Sequence, residues 1–309
     1  MDSDYFTDDR DALLTQLQEE LDGIINPGCD EITSGFAVSL AEKYDFMYAA
    51  VGWHPEDLEG ILDNSYLDEL AAWAVHPKVV AIGEIGLDYY WKGNEPKDVQ
   101  KRRLLEQLDL AKQFDLPVII HDRDAHGDIL EIFQKEVTGV RAVFHCYSGS
   151  LEMAKELLKR GFYLGFGGTS TYKNAAKVRE VLQYVPDDLL LFETDSPYLT
   201  PVPYRGKRNQ PGYTELVARN AAEVRGTTFE ALARRLLKNS QNYFFNKIKL
   251  KYKLPVCFSQ TGSLYFKAVI FQKSKQVSVS TVSFYVFVFL CKSLCVFKGD
   301  SLTENFSLW

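Results

Sequence analysis

Read as an alternation of polar and apolar positions, the chain repeats one unit. Residues 8–21 place Leu13, Leu14, Leu17 and Leu21 along one side of a helix and Asp, Gln and Glu along the other, with Gly23 as the predicted stop. An apolar run at 24–29 predicts a short strand and turn, and 34–44 predicts a second helix. The same order then recurs, with strands at 46–51, 79–83, 117–120, 141–144, 162–166 and 189–192. Helices are predicted at 64–75, 96–114, 125–136, 151–160, 175–184, 214–224 and 228–237. Strands and helices alternating at this spacing specify parallel βαβ units with right-handed crossovers. The expected fold class is therefore α/β, a TIM-like (β/α) barrel. Seven strands are counted where a closed barrel needs eight, and since the chain opens in a helix, the first strand is expected to be missing.

Composition adds two constraints. At 309 residues and 46% hydrophobic, the chain can bury one large core. Its net charge of -7 conceals an acidic body and a basic tail: residues 1–245 hold 26 Lys and Arg against 40 Asp and Glu, and residues 246–309 hold nine against two. An acidic body argues against a protein that coats DNA non-specifically, but is compatible with an enzyme that grips a few phosphates locally. The five cysteines are scattered without a C-x-x-C, which predicts reduced thiols and a cytoplasmic location. The N-terminus has neither a basic nor an apolar leader region, and the longest apolar run, 284–291, is too short to span a bilayer. Neither a membrane nor an obligate protein partner is expected.

The residues that follow the predicted strands carry the chemistry. In α/β barrels the carboxyl ends of the strands form the reactive face. Here those ends lead into His54, Glu84, His121, His145 and Asp195. Each alone has a structural alternative: Asp195 as the cap of a Pro-containing turn, a histidine as a hydrogen-bonded core residue, Glu84 as a turn residue. Together, imidazoles and carboxylates at equivalent positions of several strands can converge on a divalent cation such as Mg, Mn or Zn, which makes water reactive. His76 is expected on a surface turn at the opposite face, and His126 is expected to pack or cap in the first turn of its helix.

Six segments carry a resemblance: GWHP (52–55), IGEIGLDYYW (82–91), PVIIHDRDAHGDILEIF (117–133), FHCYSGS (144–150), GFGG (165–168) and ETDSPYLTPVPYRGKRNQPGY (193–213). In this order and spacing, across nearly all of residues 4–245, they resemble the TatD-type metal-dependent deoxyribonucleases. The resemblance implies a TIM-like barrel with two divalent metals that hydrolyses phosphodiester bonds in DNA. It implies that Glu84 bridges the metals, that His121 and His145 hold one, and that Asp195 binds the other and serves as general base. His54, Tyr89, Ser148, Arg205, Lys207 and Arg208 would border the DNA substrate; a solvated charged loop is the alternative for the basic segment.

The sequence departs from that family in two places. The family's first strand carries a His-x-His pair that completes the metal site at Asp195, and no such pair stands here. Either the chain as written keeps the half-site of Glu84, His121 and His145 and holds fewer metals, or Met1 is an internal methionine. At the other end, residues 246–299 contain nine Lys, no Arg and no acidic residue, and 277–297 is apolar and β-prone. The domain division is therefore a barrel at 1–245 and a tail at 246–309. The tail is expected to be unrelated to the fold, the alternatives being an accessory element or a strand in the barrel's vacant place. Two other functions compete with the nuclease: an amidohydrolase-type enzyme acting on a small amide or ester, and a metal-poor, non-catalytic barrel. Related amide hydrolases often bridge their metals with a carboxylated lysine where this chain has Glu84, which favours the nuclease.

Overall fold

The computed structural model of the chain describes residues 1, 4–61, 63–245 and the pair Phe284–Tyr285. Its helices are α1 (Arg10–Glu20), α2 (Glu31–Lys43), α3 (Ser65–Ala74), α4 (Lys97–Phe114), α5 (His126–Lys135), α6 (Leu151–Lys159), α7 (Ala176–Tyr184), α8 (Thr214–Arg225) and α9 (Phe229–Phe244). Its strands are β1 (Leu21–Pro27), β2 (Met47–Val51), β3 (Val79–Asp88), β4 (Val118–Arg123), β5 (Ala142–Phe144), β6 (Tyr163–Phe166), β7 (Leu190–Phe192) and β8 (Phe284–Tyr285). β1 to β7 pair in chain order, every neighbour parallel. This is the expected α/β architecture, a curled parallel sheet of the TIM-barrel type wrapped by helices. β8 lies parallel to β1 at Leu21 and Gly23, on the side where an eighth strand would stand. The rest of the tail, including the β-prone 277–283 and 286–297, lies outside the described residues.

Two packed layers follow from the period-2 alternation of each strand. Ile24, Ala49, Ile82, Ile120, Phe144 and Leu190 face the helices and join a core that includes Leu14, Leu17, Leu70, Leu108, Phe133 and Leu157. Full burial of Leu14 and Leu17 contributes about 1.5–3 kcal/mol each. Their sequence neighbours Ile25, Ala50, Ala81, Ile119, Val143 and Leu191 face the interior and pack on Tyr243, Phe244 and Phe245 at the end of α9. The Tyr243 hydroxyl donates to the carbonyl oxygens of Val118 (2.7 Å) and Arg141 (3.2 Å), at the starts of β4 and β5. The aromatic end of α9 therefore closes the floor of the barrel.

Two local expectations need correction. Gly23 does not stop α1: the Leu21 N–H closes on the Leu17 carbonyl, Leu21 turns extended, and Gly23 lies within β1. The apolar run of β1, buried on both faces, outweighs the turn preference of one glycine. α9 also runs past the predicted 237, because the apolar positions from Leu236 to Phe244 continue onto the barrel floor.

Candidate metal centre

The interior column of each strand leads to the site. Two residues beyond Ala50 and Ile119 on the inward face come Gly52 and His121; beyond Val143 and Leu191 come His145 and Glu193. His54 follows Gly52 in the same sense. On β3, simple alternation from Ala81 would turn Gly83 inward and Glu84 outward. Between Ile82 and Ile85, however, β3 advances three residues while β4 advances two, and this bulge swings Glu84 into the barrel. Glu84 and His121 thus lie within β3 and β4, not past their ends as the sequence suggested. The switch to polar residues marks where the strands enter the site, and the ladder continues to Asp88 and Arg123.

Glu84 is fully buried, and three imidazoles point at its Oε1: His121 Nδ1 at 2.9 Å, His54 Nε2 at 3.5 Å, and His145 Nε2 in the closest contact. His121 Nδ1 and His145 Nε2 are themselves 3.3 Å apart. Beyond the imidazoles stand further carboxylates. His121 Nε2 meets Asp88 Oδ2 at 2.9 Å, and His145 Nδ1 lies 3.7 Å from Glu193 Oε1, which also accepts from the Cys146 amide. Two glycines make room for this crowding. A Cβ on Gly86 would stand 2.0 Å from the His121 carbonyl oxygen, and one on Gly165 would stand 2.9 Å from Glu193 Oε2.

The electrostatics follow from burial and pairing. Burial pushes the Glu84 carboxyl up, but the His145 charge and the hydrogen bonds from His121, His145 and His54 outweigh it and hold it well below the usual range. Burial lowers His121, yet Asp88 and Glu84 raise it to about 9; His145 is likewise raised well above its usual value against burial, by Glu84 and Glu193. His54 is lowered by burial and by the neighbouring His121. Its Nδ1 accepts from the Glu56 amide at 3.2 Å, so the neutral ring carries its proton on Nε2, facing Glu84. Burial raises Asp195 to about 7, with Glu84 and Glu193 acting in the same sense.

These donors fit a divalent cation. Glu84 Oε2, Glu193 Oε2 and Asp195 Oδ1 are buried with no hydrogen-bond partner among the described residues, a costly condition that a cation relieves. The ligand atoms of His54, Glu84 and His121 lie within 4.8 Å of one another, as do those of Glu56, Asp88 and His121. Mixed imidazole and carboxylate donors suit Zn, Mn or Mg.

The other expected site residues are placed less centrally. Asp195 is buried and senses the charges of Glu84 and His145; like His145 it stands outside both of those groups, and unlike His145 it makes no contact with Glu84 in the cluster described above. The Tyr89 hydroxyl donates to Asp128 of α5 at 2.7 Å. Ser148 is exposed in the loop after β5. Arg205 stacks on Tyr172 and Lys207 on Tyr204, both cations exposed. Arg208 instead forms a two-pronged ion pair with Asp9 (2.7 Å for each nitrogen) and donates to the Tyr5 carbonyl, tying the loop after β7 to the N-terminal segment. His76 meets Glu42 at the surface, and His126, the first residue of α5, meets Asp122 at the end of β4. Sequence reasoning missed Asp88 and Glu193. The inward alternation signals Glu193, two residues past Leu191; Asp88 carried no comparable mark.

Comparison with known proteins places this arrangement. A family model described as TatD related DNase matches residues 1–245. The metal-dependent hydrolase YabD of Bacillus subtilis, described as uncharacterized, is 45% identical over 78% of this chain and 94% of its own length. YcfH of Escherichia coli K12, described in the same words, is 40% identical over 66% of this chain and 76% of its own. Among solved structures, the TatD homolog YjjV from E. coli K12 superposes with a TM-score of 0.72 at 35% identity, covering 79% of this chain and 94% of that one.

Proposed function

Because the chain belongs to the TatD-related DNase family of metal-dependent hydrolases, we propose that it hydrolyses phosphodiester bonds in DNA. The observation that carries this reading is the convergence of His121 and His145 on buried Glu84 at the carboxyl face of the strands, where the Asp195 carboxylate, with one oxygen unpartnered among the described residues, senses the charges of Glu84 and His145. Glu84, His121 and His145 would hold the cation. When bound, it supplies Lewis acidity toward a phosphoryl oxygen and lowers the pKa of water.

The chain's own groups divide the remaining work. Asp195, a buried carboxylate that metal binding would favour in its ionised form, would take the proton of the attacking water. His54 presents its Nε2–H into the site and can donate to a phosphate oxygen. At the rim, Arg205 and Lys207 offer exposed positive charge to the flanking backbone, and Tyr90 and Trp91, half exposed with Arg123 stacked against them, offer surface to bases.

The test is hydrolysis of single- and double-stranded oligonucleotides in Mg²⁺ or Mn²⁺, with bound metal counted per chain. Cleavage that depends on added metal and is lost in Asp195→Asn supports the proposal. Cleavage that persists after both His121→Ala and His145→Ala overturns it, and turnover of small amides or esters without cleavage of DNA would assign a different substrate.

A further inference from the structure

Asp88 sits behind His121, on the side away from Glu84. Its carboxylate is fully buried and its two oxygens have separate duties. Oδ1 accepts from the backbone amides of Tyr90 (2.9 Å) and Trp91 (3.3 Å) and from the Asn94 side chain (3.3 Å). Oδ2 meets His121 Nε2 at 2.9 Å, and the Asp88 carboxylate also shares a hydrogen bond with the Glu56 carboxyl. The Asp88 backbone is clamped as well: its N–H donates to Gln100 Oε1 (2.9 Å), and Gln100 Nε2 donates to its carbonyl (3.0 Å), tying the end of β3 to α4.

We propose that Asp88 is a positioning residue, which holds the proton of His121 on Nε2 and so turns the Nδ1 lone pair toward a cation shared with Glu84. The inference rests on the metal-dependent reading of the site. An imidazole that ligates through one nitrogen needs its proton on the other, and a buried carboxylate is the strongest device for keeping it there. The three donors on Oδ1 make the arrangement directional. In Asp88→Asn the side-chain oxygen must stay on those donors, so the amide NH₂ is forced to face His121 Nε2. A donor there demands a bare Nε2 and drives the proton to Nδ1, against Glu84, where it blocks ligation. A near-isosteric change thus converts the ring to the wrong tautomer while leaving the turn at Tyr90 and Trp91 intact.

The experiment uses the full chain labelled with ¹⁵N-histidine. His121 is read by long-range ¹H–¹⁵N spectra with and without Zn²⁺, and Zn²⁺ affinity is measured by calorimetry for wild type and Asp88→Asn. The expected result is a zinc-loaded wild type with Nε2 protonated, and a folded variant with Nδ1 protonated whose affinity is about 10–100-fold weaker. Wild-type affinity in the variant overturns the inference while leaving the metal centre standing. A proton-free Nε2 in zinc-loaded wild type also overturns it, and would assign the cation to the group of Glu56, Asp88 and His121 instead. A wild type that binds no zinc overturns the metal reading and this inference with it. Should the variant fail to fold, the wild-type spectrum decides alone.

Discussion

Asp195→Asn in the metal-free protein gives the sharpest test of the site's electrostatics. Burial raises the folded-state pKa of Asp195 to about 7, whereas an unfolded Asp titrates at about 3.9. Between those values the folded protein keeps a proton that the unfolded chain has released. The stability linked to this group is therefore fully present below about pH 4 and is lost as pH rises through about 7. At about 1.4 kcal/mol per unit of difference the complete loss is about 4 kcal/mol, of which about 2.5 kcal/mol falls between pH 5 and 8. Asparagine has the same shape and no charge to bury. In EDTA-treated samples, the unfolding free energy of the variant minus that of wild type should therefore rise by about 2–3 kcal/mol from pH 5 to pH 8, measured by urea titration at matched pH. Subtracting one protein from the other removes most of the contribution of His121 and His145. Saturating Mn²⁺ should narrow or reverse the difference, because the ligand stabilises the carboxylate form. A difference that stays constant across this pH range refutes the buried, charge-burdened placement of Asp195.

Three further outcomes follow. Glu84→Gln removes the acceptor shared by His121 and His145, so calorimetry should show metal affinity weakened by at least about 10–100-fold, and an NMR titration should show the His145 pKa falling back toward its usual value. Tyr243→Phe leaves the Val118 carbonyl at the barrel floor without its hydroxyl donor and should cost about 1–2 kcal/mol, read as a Tm lower by about 2–6 °C at unchanged metal affinity. Gly165→Ala pushes a methyl group against Glu193 Oε2 and the His145 Cα, so it should lower metal affinity by about 10-fold, measured by calorimetry, while the far-UV spectrum is retained.

The barrel was legible because its strands are short, apolar and regularly spaced: all seven predicted strands stand where Ile24, Met47, Val80, Val118, Val143, Tyr163 and Leu190 stand in the sheet. Glu84, His121 and His145 were legible as polar residues that break those runs. The bulge that turns Glu84 inward was not, since a one-residue slip against β4 leaves no mark in the hydrophobic pattern. His54 was expected at the substrate border and lies 3.5 Å from Glu84 Oε1, because the loop after β2 is held against the segment after β1 by the His54 amide donating to the Cys29 carbonyl. Arg208 reads as a free cation until the fold brings Asp9 to it from 199 residues away. The aromatic end of α9 lay beyond the predicted helix at 228–237, since its partners Ile25, Ala50 and Leu191 belong to strands distant in sequence.

The stopper of three aromatic rings at the end of α9 has a consequence for traffic. Among the described residues, Tyr243, Phe244 and Phe245 fill the bottom of the barrel beneath the interior side chains, on the side away from Glu84. A floor filled in this way disfavours threading a polymer along the barrel axis. On the proposed nuclease reading, such a substrate would be presented at the lip, and the released fragment would leave from the same side.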